Sequence, residues 1–288
     1  MKKIILSIAC LSAIFAKAQE LPSNDEAINK ASHEKLYTSN NKGKFFIFWG
    51  GNRGYYTNSD IQFKGNGYNF TLSDVEAIDR PKGWHIDYIN PLRMTIPQTN
   101  ARIGYFINDK YSISFGVDHM KYVMVQDQTV KMNGFISNTG TTHDGVYTNA
   151  NKTLTEDFLT FEHTDGLNYV LLEGSRTDDI SRIFGIRNTD VFQVNLTEGI
   201  GAGILYPKTN TKLLNQERYD EFHIAGYGVS AKAGLHLVFL KHFMIIGELK
   251  GGYIDMYDIR TTKYSSDVAK QDFFFLQTIL AIGAIFRL

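Results

Sequence analysis

Two groups of residues in this chain have the makings of chemistry. One is His119 with Lys121 two positions on; the other is the run Phe161-Glu162-His163-Thr164-Asp165. An imidazole next to a carboxylate can move a proton, and two histidines with several carboxylates around one rim can hold a divalent cation. A third set, Arg102, Asp118, Lys232, His236, Glu248, Lys250 and Arg287, carries both signs of charge on one parity of alternating segments. If that parity faces an enclosed space, these groups must pair, because an isolated buried charge is heavily penalised by desolvation. Lys232 and Glu248, on neighbouring antiparallel segments, are the first expected pair.

What these groups can do depends on the segments that position them. Counting back by twos from the C-terminus gives Leu288, Phe286, Ala284, Ile282, Leu280, Thr278, Leu276 and Phe274, a face that is apolar almost throughout. Such a strand has to lie against a large apolar surface. Similar alternation marks segments at about 44–56, 100–107, 111–125, 166–174, 190–206, 222–239 and 243–257, which predicts eight strands in all. Several exceed the roughly five to six residues usual in soluble sheets and match the nine to eleven or so that cross a bilayer at a tilt. Tight connections at Asn108-Asp109 and Leu240-Lys241-His242 alternate with long polar ones at 57–99, 126–165, 207–221 and 258–271, the first of which contains strand-like pieces of its own at Asp60–Lys64 and Tyr68–Ile78. The link between the fourth and fifth strands, about fifteen residues, is the exception to its expected short class.

The 222–239 segment separates two architectures. Ala225, Tyr227, Val229, Ala231, Ala233, Leu235 and Leu237 fall on one face; Gly226, Gly228, Ser230, Lys232, Gly234 and His236 fall on the other. A soluble sandwich would carry Lys, Glu and Thr on its solvent face, whereas small residues suit the narrow interior of a closed barrel. The expected fold is therefore all-β: an antiparallel up-and-down transmembrane barrel with its apolar face in lipid, since a closed barrel is the sheet that leaves no unpaired edge there. Gly199-Ile200-Gly201-Ala202-Gly203 lies mid-strand with no following helix or lysine, so it reads as space for bulky neighbours rather than a nucleotide loop.

The N-terminus reads as a secretory signal over 1–18. Lys2 and Lys3 precede the apolar run Ile4 to Phe15, and Ala16-Lys17-Ala18 supplies small residues before a cut at Gln19. Residues 19–43 read as a polar periplasmic tail and 44–288 as the barrel. The single cysteine, Cys10, lies within the signal, so the mature chain has no disulfide framework, thiolate metal site or cysteine nucleophile. The precursor has formal net charge +0 and becomes mildly acidic once Lys2, Lys3 and Lys17 are removed. No basic stripe suggests nucleic acid. No cofactor motif is present, and no metal is assigned.

Over 44–288 the pattern resembles the small eight-stranded bacterial outer-membrane proteins of the OmpA/OmpX transmembrane type. That resemblance implies an outer-membrane location in a Gram-negative cell, contact with lipid and lipopolysaccharide, and recognition of the C-terminal strand by the barrel-assembly machinery. The strand ends here in Leu288 rather than the usual phenylalanine, with Phe286 two residues earlier.

Within such a barrel Arg102, Asp118, Lys232, His236, Glu248, Lys250 and Arg287 form a lumenal charge network. Strand parity points His119 outward. Eight residues up, at about 3.3 Å each and a tilt of about 40°, it sits roughly 20 Å above the periplasmic end, near outer-leaflet headgroups. There it resembles the outward-facing catalytic histidine of the barrel lipid A deacylases, which pair it with a serine two residues on; here that position is Lys121. His119, Glu162, His163 and Asp165 are the catalytic candidates on this reading. Glu198 is expected either to be shifted inward by a bulge near Gly199 or to join the rim, because a bare carboxylate in lipid is costly. The leading functional expectation is non-enzymatic: envelope integrity, adhesion or surface binding to an unidentified extracellular ligand through the long loops, which carry Trp84. A lipid-modifying hydrolase and a small solute or ion channel are the alternatives.

Overall fold

The computed structural model describes residues 40–80, 98–216, 219 and 221–288. The expected signal over 1–18, most of the expected tail over 19–43 and Trp84 lie outside them. Among the described residues sixteen strands follow one another: β1 (Phe45–Tyr56), β2 (Ser59–Gly65), β3 (Tyr68–Val75), β4 (Ala77–Ile78), β5 (Thr99–Phe106), β6 (Tyr111–Met120), β7 (Val123–Met124), β8 (Thr129–Ile136), β9 (Gly145–Thr153), β10 (Leu159–Glu162), β11 (Leu167–Asp179), β12 (Phe192–Leu205), β13 (Asn210–Leu213), β14 (Gly226–Phe239), β15 (Phe243–Arg260) and β16 (Val268–Phe286).

Eight of them close a barrel in the order β1-β5-β6-β11-β12-β14-β15-β16, with β1 returning to β16. The closing seam is antiparallel and unbroken from Phe45↔Phe286 to Tyr56↔Phe275. These are the eight expected strands. Their turns have local causes. Asn108 Oδ1 accepts from the backbone N–H groups of Lys110 and Tyr111 at 2.9 and 2.8 Å, an Asx turn that reverses the chain between β5 and β6. Leu240 and Lys241 adopt φ of 50° and 67°, the left-handed pair of a tight hairpin turn, between β14 and β15.

The outward face of β16 carries Phe274, Leu280 and Ile282, all exposed, and Ile103, Phe115, Leu172, Ile200, Val229, Leu235 and Ile245 continue that apolar surface around the barrel. Glu198 does not bulge inward: the β11–β12 register runs without a shift, and it stays on the outward face opposite Arg176. The inward face is layered along each strand. On β15, Met244 and Ile246 come first, then Glu248 and Lys250, then Ile254 and Met256. The lower apolar layer joins Phe46, Phe48, Phe106, Val238, Ile279 and Ile285.

The first long connection forms strands where its strand-like pieces are expected, β2 over 59–65 and β3 with β4 over 68–78, while the later connections depart from the polar loops expected. β2, β3, β8 and β9 extend the barrel sheet from the upper part of β16, and β13-β10-β7-β4 form a second sheet. Together with the upper barrel they bury a shared apolar core that includes Ile61, Phe63, Phe70, Leu72, Met132, Phe158, Phe161 and Phe273. The short alternations Ile61/Phe63 and Phe70/Leu72 are enough to form strands once a second apolar surface covers them. The third expected strand is accordingly interrupted: β6 ends at Met120, and Tyr122 turns into the cap core, where its ring stacks on Phe273 at 5.0 Å. β15 and β16 rise beyond their expected ends, shortening the last loop to Thr261–Asp267.

Candidate functional site

The most concentrated chemistry is the ionic layer across the lumen. Arg102 on β5 donates from Nη2 to Asp118 Oδ1 at 2.7 Å and from Nε to Glu173. Lys250 on β15 reaches Asp118 Oδ2 at 2.8 Å and Glu173 Oε1 at 2.6 Å. Lys232 on β14 lies 3.1 Å from Glu248 Oε1 and 3.4 Å from Glu173 Oε2. His236 Nε2 meets Glu248 Oε1 at 2.9 Å. Arg102, Lys232 and Lys250 thus balance Asp118, Glu173 and Glu248, all of them buried. Each carboxylate has at least one cation in direct contact, as buried charges require.

Glycines create the room. A Cβ on Gly201 would approach Glu173 Cγ to 2.9 Å, and one on Gly199 would approach Ser175 Oγ to 2.7 Å and Lys232 Cε to 3.3 Å. The glycine run in β12 is therefore the clearance for Glu173 and Lys232. Arg287 lies outside that network. β16 ends at Phe286, and the exposed guanidinium bonds the backbone oxygen of Lys42 at 2.9 Å and Asn40 Oδ1 at 2.7 Å. Its parity was right only for a strand that continued. Glu173 has the most cationic partners and was absent from the expected set. Its signal was a lone acid on the inward parity of the fourth strand, with partners that no sequence spacing reveals.

A polar file leaves this layer upward. Asn100 Nδ2 donates to Asp118 Oδ1, Asn52 Nδ2 to Asn100 Oδ1, and Gln98 Nε2 to Asn52 Oδ1 at 2.9 Å and Asp79 Oδ1 at 2.8 Å. Downward, Lys232 and His236 line a cavity of ≈ 30 Å³, one of whose walls holds Ser112, Ser175, Thr177, Gln193, Asn195 and Thr197. That volume holds about one water.

The catalytic candidates sit above, in two different settings. His119 keeps its outward parity but is only 3% exposed, so the expected position open to outer-leaflet headgroups is corrected. The cause is β11: Asn168 faces it across the ladder, Nδ1 to Oδ1 at 2.7 Å. Glu162 accepts from Thr164 Oγ1 at 2.9 Å and Asn210 Nδ2 at 3.1 Å and pairs with Arg80 at 3.5 Å. Asp165 shares Asn210 at 3.5 Å and lies 4.0 Å from Lys208. His163 turns the other way, into the cap core, fully buried between the rings of Phe161 and Tyr122 with Nδ1 2.8 Å from Thr209 Oγ1. Burial lowers its pKa to about 4, so the imidazole is neutral at physiological pH. The structure therefore separates His163 from the rim carboxylates that sequence adjacency suggested.

One further cluster had no sequence signal. His143 Nε2 meets Asp157 Oδ2 at 3.1 Å while its Nδ1 lies 2.9 Å from Lys152 Nζ. The ammonium also lies over the Phe158 ring at 4.4 Å. The carboxylate fixes the Nε2–H tautomer, leaving Nδ1 to accept from the lysine. Asp157 is held below its ordinary range chiefly by a hydrogen bond from Thr155. The arrangement ties β9 to the segment before β10.

No protein-family model matches the chain, and no curated protein matches it. Among solved structures, similarity extends to Ail, the attachment invasion locus protein of Yersinia pestis, in a complex with the heparin analogue sucrose octasulfate, at 11% identity and TM-score 0.35, over 85% of this chain and 99% of that one. It extends also to the outer membrane protein OprG of Pseudomonas aeruginosa, at 9% identity and TM-score 0.34 over 87% and 99%. The outer membrane protease OmpT of Escherichia coli matches at 10% identity and TM-score 0.31, over 88% and 99%. Likeness at this level says nothing about activity. The chain is similar to small outer-membrane β-barrel proteins.

Proposed function

We propose that this chain is an outer-membrane barrel whose work is done by the folded β cap it displays on the cell surface, in binding or adhesion rather than catalysis. One observation carries this reading. A barrel with an apolar exterior is filled by an ionic layer between two apolar clusters, and the connections at one end extend the upper cluster into a core they share with the barrel. An interior so filled favours a rigid anchor, and the investment in structure lies in the cap. β9 is the open edge of the extended sheet, and its hairpin with β8 exposes Phe135 and Val146, features suited to contact with another surface. The catalytic alternative has less support, with His119 covered and Lys121 at the position where a deacylase carries its serine.

The test has two stages. Cell fractionation with boiled and unboiled gel migration should place the protein in the outer membrane with faster migration unboiled; a freely soluble protein would sink the reading. Replacing 129–153 by a short linker should then abolish cell-surface attachment while the gel shift persists. Attachment that survives would move the binding role elsewhere.

A second reading, conductance through the lumen, has the polar file in its favour, since it connects Asp79 through the ionic layer to the cavity beside His236. It predicts single-channel events in planar bilayers that change in Glu248→Gln. A silent bilayer disposes of it.

A further inference from the structure

The connection between β11 and β12, residues 180–191, is long for the barrel end at which it lies, where the other turns span 107–110 and 240–242. It is also ordered. Ser181–Phe184 forms one 3₁₀ turn closed by Gly185 at φ 69°. Ile180 N–H donates to Val194 O at 2.9 Å, and Ser181 Oγ accepts from Val194 N–H at 2.9 Å, so the turn is pinned to the foot of β12. Yet Ile183 and Phe184 are 64% and 59% exposed, flanked by exposed Arg182 and Arg187. Neither lines the cavity at this mouth of the barrel. A tethered turn that holds two large apolar side chains in water and does not plug the mouth calls for an apolar partner.

The neighbouring surface identifies it. Leu240 N–H donates to Val191 O at 2.9 Å and Lys241 Nζ pairs with Asp190 at 2.7 Å, which fastens the connection to the β14–β15 turn. Val191 and Leu240 are exposed as well, and above them Phe192 and Phe239 pack at 4.9 Å on the outward wall, beside exposed Phe243. The apolar surface of the connection is thus continuous with the apolar exterior of the barrel, and its fixed charges Arg182 and Arg187 are positive. Apolar side chains interleaved with arginine at the edge of a hydrocarbon band suit an interface where acyl chains meet phosphates.

We infer that residues 180–191 form an interfacial foot that rests in the periplasmic leaflet of the outer membrane, with Ile183 and Phe184 at the acyl boundary and Arg182 and Arg187 on phospholipid phosphates. The inference rests on the outer-membrane reading above. It assigns the connection to lipid rather than to a periplasmic protein.

The test uses the full mature chain in vesicles of phosphatidylethanolamine and phosphatidylglycerol, with tryptophan removed elsewhere by Trp49→Phe and Trp84→Phe. Phe184→Trp, and separately Ile183→Trp, should give blue-shifted emission that acyl chains brominated near the headgroup quench at least twofold and that aqueous iodide barely touches. Emission quenched by iodide and indifferent to bromine would overturn the foot. A companion chain that keeps only Trp49, on the outward face of β1, separates the two levels of failure. If its indole is quenched by bromine and that at 184 is not, the foot fails alone; if neither is quenched, the membrane reading fails with it. Arg182→Gln with Arg187→Gln should reduce the bromine quenching at 184 in anionic vesicles, and unchanged quenching would remove the arginines from the contact. The unboiled gel shift reports that each variant is folded.

Discussion

Lys250 Nζ and Glu173 Oε1 meet at 2.6 Å across the lumen, from strands β15 and β11 that do not pair with one another. The contact joins opposite walls of the barrel, and Arg102 and Lys232 converge on the same carboxylate. Removing an acid from such a centre leaves cations buried without compensation.

Glu173→Gln should therefore destabilise the barrel by about 3–5 kcal/mol, the usual cost of breaking a buried ion pair from one side. Urea titration followed by loss of the unboiled gel shift measures it. Glu173→Gln combined with Lys250→Met should recover part of the loss, because the stranded ammonium goes too. A double variant no more stable than the single one would mean that Arg102 and Lys232, not Lys250, dominate the centre.

His163 predicts a pH dependence confined to the cap. Its folded pKa, lowered to about 4 by burial, lies beneath the unfolded value of about 6.5, so the opened cap binds a proton that the closed one refuses. The cap is accordingly most stable above about pH 6.5 and weakens as pH falls toward 4, with no further loss from this group below that. The full effect is roughly 3 kcal/mol. Amide exchange in β7, β10 and β13 should show more frequent opening at pH 5 than at pH 7, after correction for intrinsic rates. In His163→Phe that difference should vanish; its persistence would assign the dependence to another group.

The His143–Lys152 contact predicts a local effect at the sheet edge. Lys152→Met keeps an aliphatic chain near Phe158 but removes the donor to Nδ1, and should cost about 1 kcal/mol, the net value of one such hydrogen bond. Exchange of the β9 amides should quicken about fivefold while the barrel strands stay unchanged. Equal rates in both proteins would reduce the contact to a solvated one.

The barrel was legible in the sequence because alternation at period two is a local property, and eight segments of it share one geometry. Even the inward parity of Lys232, Glu248, Asp118 and Arg102 follows from counting, because each residue along a strand reverses the face. Arg287 shows where counting stops: parity says nothing once a strand has ended. His119 shows a second limit, since an outward position is open or covered according to a neighbour, Asn168, that parity cannot place. His163 and Glu162 differ in environment although adjacent, because opposite faces of one short strand segment meet the cap core and the rim.

What the sequence determined by itself was the strand class, the order of long and short connections, and which face of each barrel strand is apolar, all of them consequences of near-neighbour pattern. Only the tertiary structure decided that the polar connections fold into a cap, that Glu173 is the hub of the ionic layer, and that His143 meets Asp157 and Lys152. Those outcomes depend on surfaces brought together across the lumen or between connections far apart in the chain. The alternation of Ile61 and Phe63 marks a strand in the sequence, but those side chains are buried only because a second apolar surface, from chain far away, covers them.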